Sequence, residues 1–147
     1  MDNQIPTVAL KSKVFIGIDV HLSSYAVCVV EEGRHRRKWT MPAEPEKLIE
    51  KLHKEYPTHE ITTVYEAGFS GFVLHRALEA AGIRSIVVHA ASVAVKTGDR
   101  VKTDRRDAQK LAEQLAAGML SGVRIPTIEE ELRRQLSRVR QQLMRDR

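Results

Sequence analysis

Four carboxylates stand out by where they fall. Asp19 directly follows Ile16-Gly17-Ile18 in a β-rich run, and Glu66 closes a second β-branched run, Ile61 to Tyr65, just before Ala67-Gly68. A carboxylate at the end of a central strand is costly to bury unless it is paired or bound to a cation. Asp104 and Asp107 are three residues apart at the start of a helical pattern, so both project from one side of its first turn. Each acid also has an ordinary reading. An aspartate N-cap with a second acid at N3 is a common helix start, and a strand-end acid can simply face solvent. Element order decides between the readings. A first strand, a fourth strand end and a late helix N-terminus converge when three strands are followed by αβαβα, and four carboxylates at one point repel one another unless a cation neutralises them.

The elements that must position these acids follow from periodicity. Val14, Ile16 and Ile18 alternate with Phe15, Gly17 and Asp19, Ala26 to Val30 form a second strand, and Arg34 to Met41 a third after the Glu31-Glu32-Gly33-Arg34 turn. The opening therefore reads as an antiparallel meander, stopped by Pro42 and Pro45. Leu48, Ile49 and Leu52 mark a helix ended by Pro57. After the Ile61–Tyr65 strand, Ser70 is expected to cap a helix carrying Val73, Leu74, Ala77, Leu78 and Ala81, closed by Gly82. Ile83 to Val88 is a further short buried strand. A basic loop, Lys96 to Arg106, precedes a helix expected over Asp104 to Met119, with Ala108, Leu111, Ala112, Leu115 and Met119 as its apolar stripe. Beyond Pro126, Leu132, Leu136, Val139 and Leu143 follow heptad spacing among arginines and glutamines. That helix reaches Arg147 with its seam in phase, which reads as a chain cut short. The expected organisation is a tail over residues 1–12, an α/β domain over 13–124, and the start of a coiled-coil or linker helix over 125–147.

Phe15-Ile16-Gly17-Ile18-Asp19-Val20, Tyr65-Glu66-Ala67-Gly68-Phe69-Ser70-Gly71 and Lys102-Thr103-Asp104-Arg105-Arg106-Asp107-Ala108 resemble the N-terminal domain of the DEDD insertion-sequence transposases, relatives of the Piv and MooV DNA invertases. The likeness covers about Val14 to Val123, and its most specific piece is Lys-Thr-Asp-x-x-Asp-Ala before a helix. It implies a RuvC-like, ribonuclease H-like α/β fold, with a mixed five-stranded sheet flanked by helices. It also implies that Asp19, Glu66, Asp104 and Asp107 hold divalent metal, normally magnesium with manganese as a substitute. Hard oxygen ligands suit magnesium, and two ions about 3.5 to 4 Å apart activate an attacking oxygen and stabilise a leaving one. The implied activity is that of a transposase or site-specific DNA recombinase. The family's larger proteins add a C-terminal domain with a serine nucleophile, and in some members a structured guide RNA directs them to DNA. A fragment without that serine is expected to be incomplete as a recombinase.

Lys96, Arg100, Lys102, Arg105 and Arg106 crowd beside the aspartates and are expected to contact phosphates, consistent with 24 basic against 19 acidic residues and a net charge of +5. Arg34, Arg36, Arg37 and Lys38 around Trp39 could grip a strand backbone or form a solvated edge strand. His21 falls within reach of Asp19 by strand alternation. The single cysteine, Cys28, excludes an intramolecular disulfide framework and a cysteine zinc site, and reads as a small core residue. Apolar runs fall far short of the roughly 20 residues that span a bilayer, and the polar N-terminus is unlike a signal peptide, so a cytoplasmic protein without membrane contact is expected. The heptad helix predicts a homo-oligomer. Two other readings keep the fold: a guide-RNA and DNA scaffold whose acids only tune binding, and a Holliday-junction resolvase-like nuclease. A sugar-kinase or actin-type ATPase needs a glycine and a hydroxyl after the first aspartate to cradle phosphate, whereas Val20-His21-Leu22 stands here.

Overall fold

The computed structural model describes residues 11–32, 34–89 and 107–146. Strands β1 (Lys13–Val20), β2 (Ser24–Glu31) and β3 (Arg34–Pro42) form the expected antiparallel meander. Helix α1 (Pro45–Glu55) leads to β4 (Glu60–Glu66), which pairs parallel with β1, and α2 (Val73–Ala80) leads to β5 (Arg84–Val88), parallel to β4. Two more helices follow, α3 (Ala108–Ala116) and α4 (Ile128–Arg145). The sheet order β3-β2-β1-β4-β5 puts β1 in the centre, flanked by one antiparallel and one parallel neighbour. An antiparallel meander extended by two parallel strands through helical crossovers is the ribonuclease H-like arrangement.

Side-chain alternation sends each strand's residues to two separate cores. On one face Val14, Ile16 and Ile18 of β1 are fully buried against Leu48 and Leu52 of α1 and Leu74 and Leu78 of α2. Each such aliphatic side chain contributes about 1.5–3 kcal/mol on burial. On the other face Phe15, Val64 and Val88 meet Leu111 and Leu115 of α3, while Cys28 and Val30 meet Ala108 and Ala112. Gly17 is the reason α3 lies so low: a Cβ there would come within 2.0 Å of the Ala108 carbonyl oxygen and 2.7 Å of the Ala112 amide nitrogen. Small residues on both surfaces thus seat the helix backbone directly on the central strand.

Helix limits differ from the periodic reading in three places. Pro45 is the first residue of α1 rather than only a stop to β3, as suits a residue with preset φ and no amide donor. Ser70 does not cap α2, which starts at Val73 after Phe72 with no side-chain cap. The 67–72 segment is held instead by the Tyr65 hydroxyl, which donates to the Gly71 carbonyl at 3.1 Å and accepts from the His75 amide at 3.2 Å. Helix α3 spans Ala108–Ala116, not Asp104 to Met119, and Asp107 is its N-cap rather than an N3 residue. Asp104 and the basic-loop residues Lys96, Arg100, Lys102, Arg105 and Arg106 lie outside the described residues. At the end of α2, Gly82 adopts φ +79°, and the Gly82 and Ile83 amides donate back to Glu79 and Leu78 at 3.0 and 2.9 Å, a Schellman closure.

Candidate metal and nucleic-acid site

The parallel pairing of β1 with β4 fixes the first two acids. Ile18 is the register partner of Tyr65, so Asp19 and Glu66 occupy the next positions on neighbouring strands. Ile18 and Tyr65 both point into the core under α1 and α2; by alternation, Asp19 and Glu66 both point to the α3 face. The two carboxylates are therefore on one side of the sheet, at the C-terminal ends of two adjacent parallel strands. Asp19 is largely covered, with 19% of its side chain exposed, and its Oδ2 lies 3.0 Å from Nε2 of His21. Glu66 is half-buried. The strand below it is anchored by Tyr65, whose hydroxyl pKa burial pushes up to about 12.

The third acid arrives on the helix that Gly17 admits. Asp107 caps α3 by accepting from the Lys110 amide at 2.8 Å through Oδ1. It lines an open cleft of about 340 Å³ together with Ala26, Cys28, Lys38, Thr40, Ala108 and Gln109. Ala26 is the cross-strand partner of Asp19, so Asp107 opens onto the residue beside Asp19. Among the described residues no group of three or more histidine, cysteine, aspartate or glutamate side chains is gathered closely enough to hold a metal ion. The donor chemistry nevertheless fits a hard divalent cation: Asp19 and Glu66 supply carboxylate oxygens from one face, with Asp107 on the helix above that face.

Two features of this face escaped the periodic reading. Gly17 was read only as one residue of an alternating strand. The turn of Lys38 and Thr40 to the α3 face was equally hidden, because it follows from pairing Lys38 with Cys28 and Thr40 with Ala26, and pairing partners are not written in a single strand's sequence. The Cys28 thiol is buried in the α3-side core as expected, and burial pushes its pKa up, with Lys38 pulling it down and Glu113 and Asp107 pushing it up. Among the described residues no helix is long and apolar enough to cross a membrane.

A family model for DEDD transposases of the IS110 type matches residues 16–147. A Sinorhizobium fredii protein named as a transposase, y4qE, is 37% identical over 137 residues, covering 90% of this chain and 35% of its own length. The transposase for insertion sequence element IS1533 of Leptospira borgpetersenii is 30% identical over 156 residues, covering 92% of this chain and 44% of its own length. The chain thus spans less than half the length of these curated relatives. Among solved structures, Thermus thermophilus RuvC in complex with a Holliday junction substrate aligns with 76% of this chain and 99% of its own, at 14% identity and a TM-score of 0.46.

Proposed function

The chain belongs to the DEDD transposase family of the IS110 type, and from that membership we propose that it is the metal-binding, nuclease-like domain of a transposase acting on DNA strand cleavage and exchange. The observation that carries this reading is the placement of Asp19 and Glu66 on consecutive positions past the Ile18–Tyr65 pair, facing the same side. Asp19, Glu66, Asp104 and Asp107 would hold magnesium, with manganese as a substitute. Such ions would supply the Lewis acidity that phosphodiester chemistry needs at the attacking and leaving oxygens. The chain's own part is to fix the ligands. The β1–β4 ladder holds Asp19 and Glu66 in register, Tyr65 ties down the segment after Glu66, and Gly17 seats α3, which Asp107 caps, on β1. His21 holds the Asp19 carboxylate in one orientation.

In this reading Lys96, Arg100, Lys102, Arg105 and Arg106 contact DNA phosphates, a structured guide RNA is a further partner, and copies associate through α4. A second reading, a nucleic-acid scaffold whose acids do not ligate metal, draws on the Asp19–His21 contact and on the lack of a three-residue ligand group among the described residues.

Thermal melting separates the two. An ion that binds only the folded state with a Kd near 1 mM adds roughly 1.4 kcal/mol at about 10 mM. Wild type is expected to gain stability with magnesium beyond what sodium gives at matched ionic strength, and Asp19→Asn is expected to lose most of that gain. A wild type with no magnesium-specific shift overturns the metal reading and leaves the scaffold.

A further inference from the structure

The basic run on β3 is divided by the sheet. Arg37 pairs with Val29 and Trp39 with Val27, both on the face under α1. There Arg37 forms a two-pronged contact with Glu55 at 2.6 and 3.2 Å, and its guanidinium and the Lys51 ammonium lie 5.6 and 5.0 Å from the Trp39 ring. Arg37 and Lys51 share Glu55 as their one carboxylate partner, and both lie against the Trp39 ring. Lys38 and Thr40 alternate to the opposite face, opening on the cleft that Asp107 lines.

We propose that Lys38, with Thr40 beside it and Gln109 across from it on α3, forms a subsite for a nucleic-acid phosphate in that cleft. This rests on the nuclease-domain reading and adds to it a contact made from the sheet and α3. Lys38 is exposed and forms no ion pair with a described residue. Its ammonium donates to Oε1 of Gln109. Gln109 in turn donates from Nε2 to Glu113 at 2.8 Å, which fixes its carboxamide with the oxygen toward Lys38. A lysine held by one neutral acceptor keeps two donors and its whole charge for an anion. Thr40 supplies a hydroxyl one alternation nearer the acids: Thr40 pairs with Ala26, and Ala26 with Asp19. Two strand spacings separate Asp19 from β3, about 10 Å. Lys38 is level with Gly17, two residues back along β1, so a backbone passing over Asp19 reaches it across about 12 Å, within about four nucleotide steps at roughly 3.4 Å each. Trp39 also lines the cleft, but its ring packs on the α1 side against Arg37 and Lys51, so the contact reads the backbone and not the base.

The test is a salt titration of binding by the full chain at fixed magnesium, using a short DNA duplex in one arm and a structured RNA in the other. Lys38→Gln is compared with wild type and with Arg37→Gln. Loss of one phosphate contact makes the slope of log affinity against log salt shallower by about 0.9 on duplex DNA, so the wild-type advantage shrinks by roughly threefold between about 50 and 200 mM salt. That change with Lys38→Gln, absent in Arg37→Gln, is the expected result. If it appears with one nucleic acid only, the phosphate belongs to that partner. A slope unchanged by Lys38→Gln in both arms, with melting temperature preserved, overturns the subsite while leaving the domain's function standing. If wild type binds neither nucleic acid, the subsite and the reading beneath it both fall.

Discussion

Gly17 of β1 lies directly beneath Ala108 of α3, so close that a side chain on Gly17 would occupy the space of the Ala108 carbonyl, 2.0 Å away. Strand glycine is ordinarily a small liability, and alanine there should stabilise by about 0.5–1 kcal/mol. Here the clash is with backbone, which cannot rotate aside. Gly17→Ala is expected to destabilise by about 1–3 kcal/mol through overpacking, and to weaken the magnesium-dependent rise in melting temperature because α3 and Asp107 are lifted from the sheet. A stable variant with an unchanged magnesium response would show that the low seat of α3 does not matter to the site.

Asp107 has two tasks that substitution can separate. As N-cap it satisfies the Lys110 amide, and asparagine caps as well as aspartate, whereas alanine costs about 1 kcal/mol. Asp107→Asn is therefore expected to melt close to wild type without metal but to lose magnesium stabilisation, while Asp107→Ala loses both. Equal magnesium responses in wild type and Asp107→Asn would confine Asp107 to capping.

Tyr65 gives a pH dependence with a definite sign. Burial raises its folded pKa to about 12 from 10.0, so its contribution is fully present below about 10 and is lost as pH rises toward about 12. Tyr65→Phe leaves the Gly71 carbonyl and His75 amide without the hydroxyl and is expected to cost about 1–2 kcal/mol at neutral pH. Melting temperatures of the two proteins should converge between about pH 10 and 12. A constant gap across that range would contradict a buried, neutral phenol.

The meander, the alternation of β1 and the strand ends bearing Asp19 and Glu66 were legible because a half-buried strand writes its pattern with period two. The helix starts were less so. Asp104 and Asp107 both resemble caps in a sequence, and the structure makes Asp107 the cap of α3, with Ala108 packed onto Gly17. Ser70 has the composition of a cap, but the Tyr65 hydroxyl holds the 67–72 segment in a turn and delays α2 to Val73. The division of the β3 cations depended on strand register, a long-range property that local composition does not encode.

Helix α4 carries its apolar seam in the open: Leu132, Leu136, Val139 and Leu143 are 54%, 70%, 57% and 65% exposed. Its base is clasped to α2, with Arg76 bonded to Glu131 at 2.7 Å and to the Pro126 carbonyl at 3.0 Å. A seam that runs only from Leu132 to Leu143, less than two heptads, is marginal alone, so self-association is expected to be weak. Sedimentation equilibrium should show a concentration-dependent mass for wild type and a monomer for Leu136→Asp, Leu143→Asp. The same mass for both contradicts an interface on this seam.

Manganese binding followed by electron paramagnetic resonance tests the shared site most directly, since bound and free ions give different signals and no activity is required. If Asp19, Glu66, Asp104 and Asp107 hold one metal centre, Asp19→Asn, Glu66→Gln, Asp104→Asn and Asp107→Asn each weaken binding by about tenfold or more, equivalent to roughly 1.4 kcal/mol, while the folded melting transition is retained. Wild-type manganese affinity in folded Asp19→Asn and Glu66→Gln variants would contradict it, because the two carboxylates that β1 and β4 place side by side would then not be ligands.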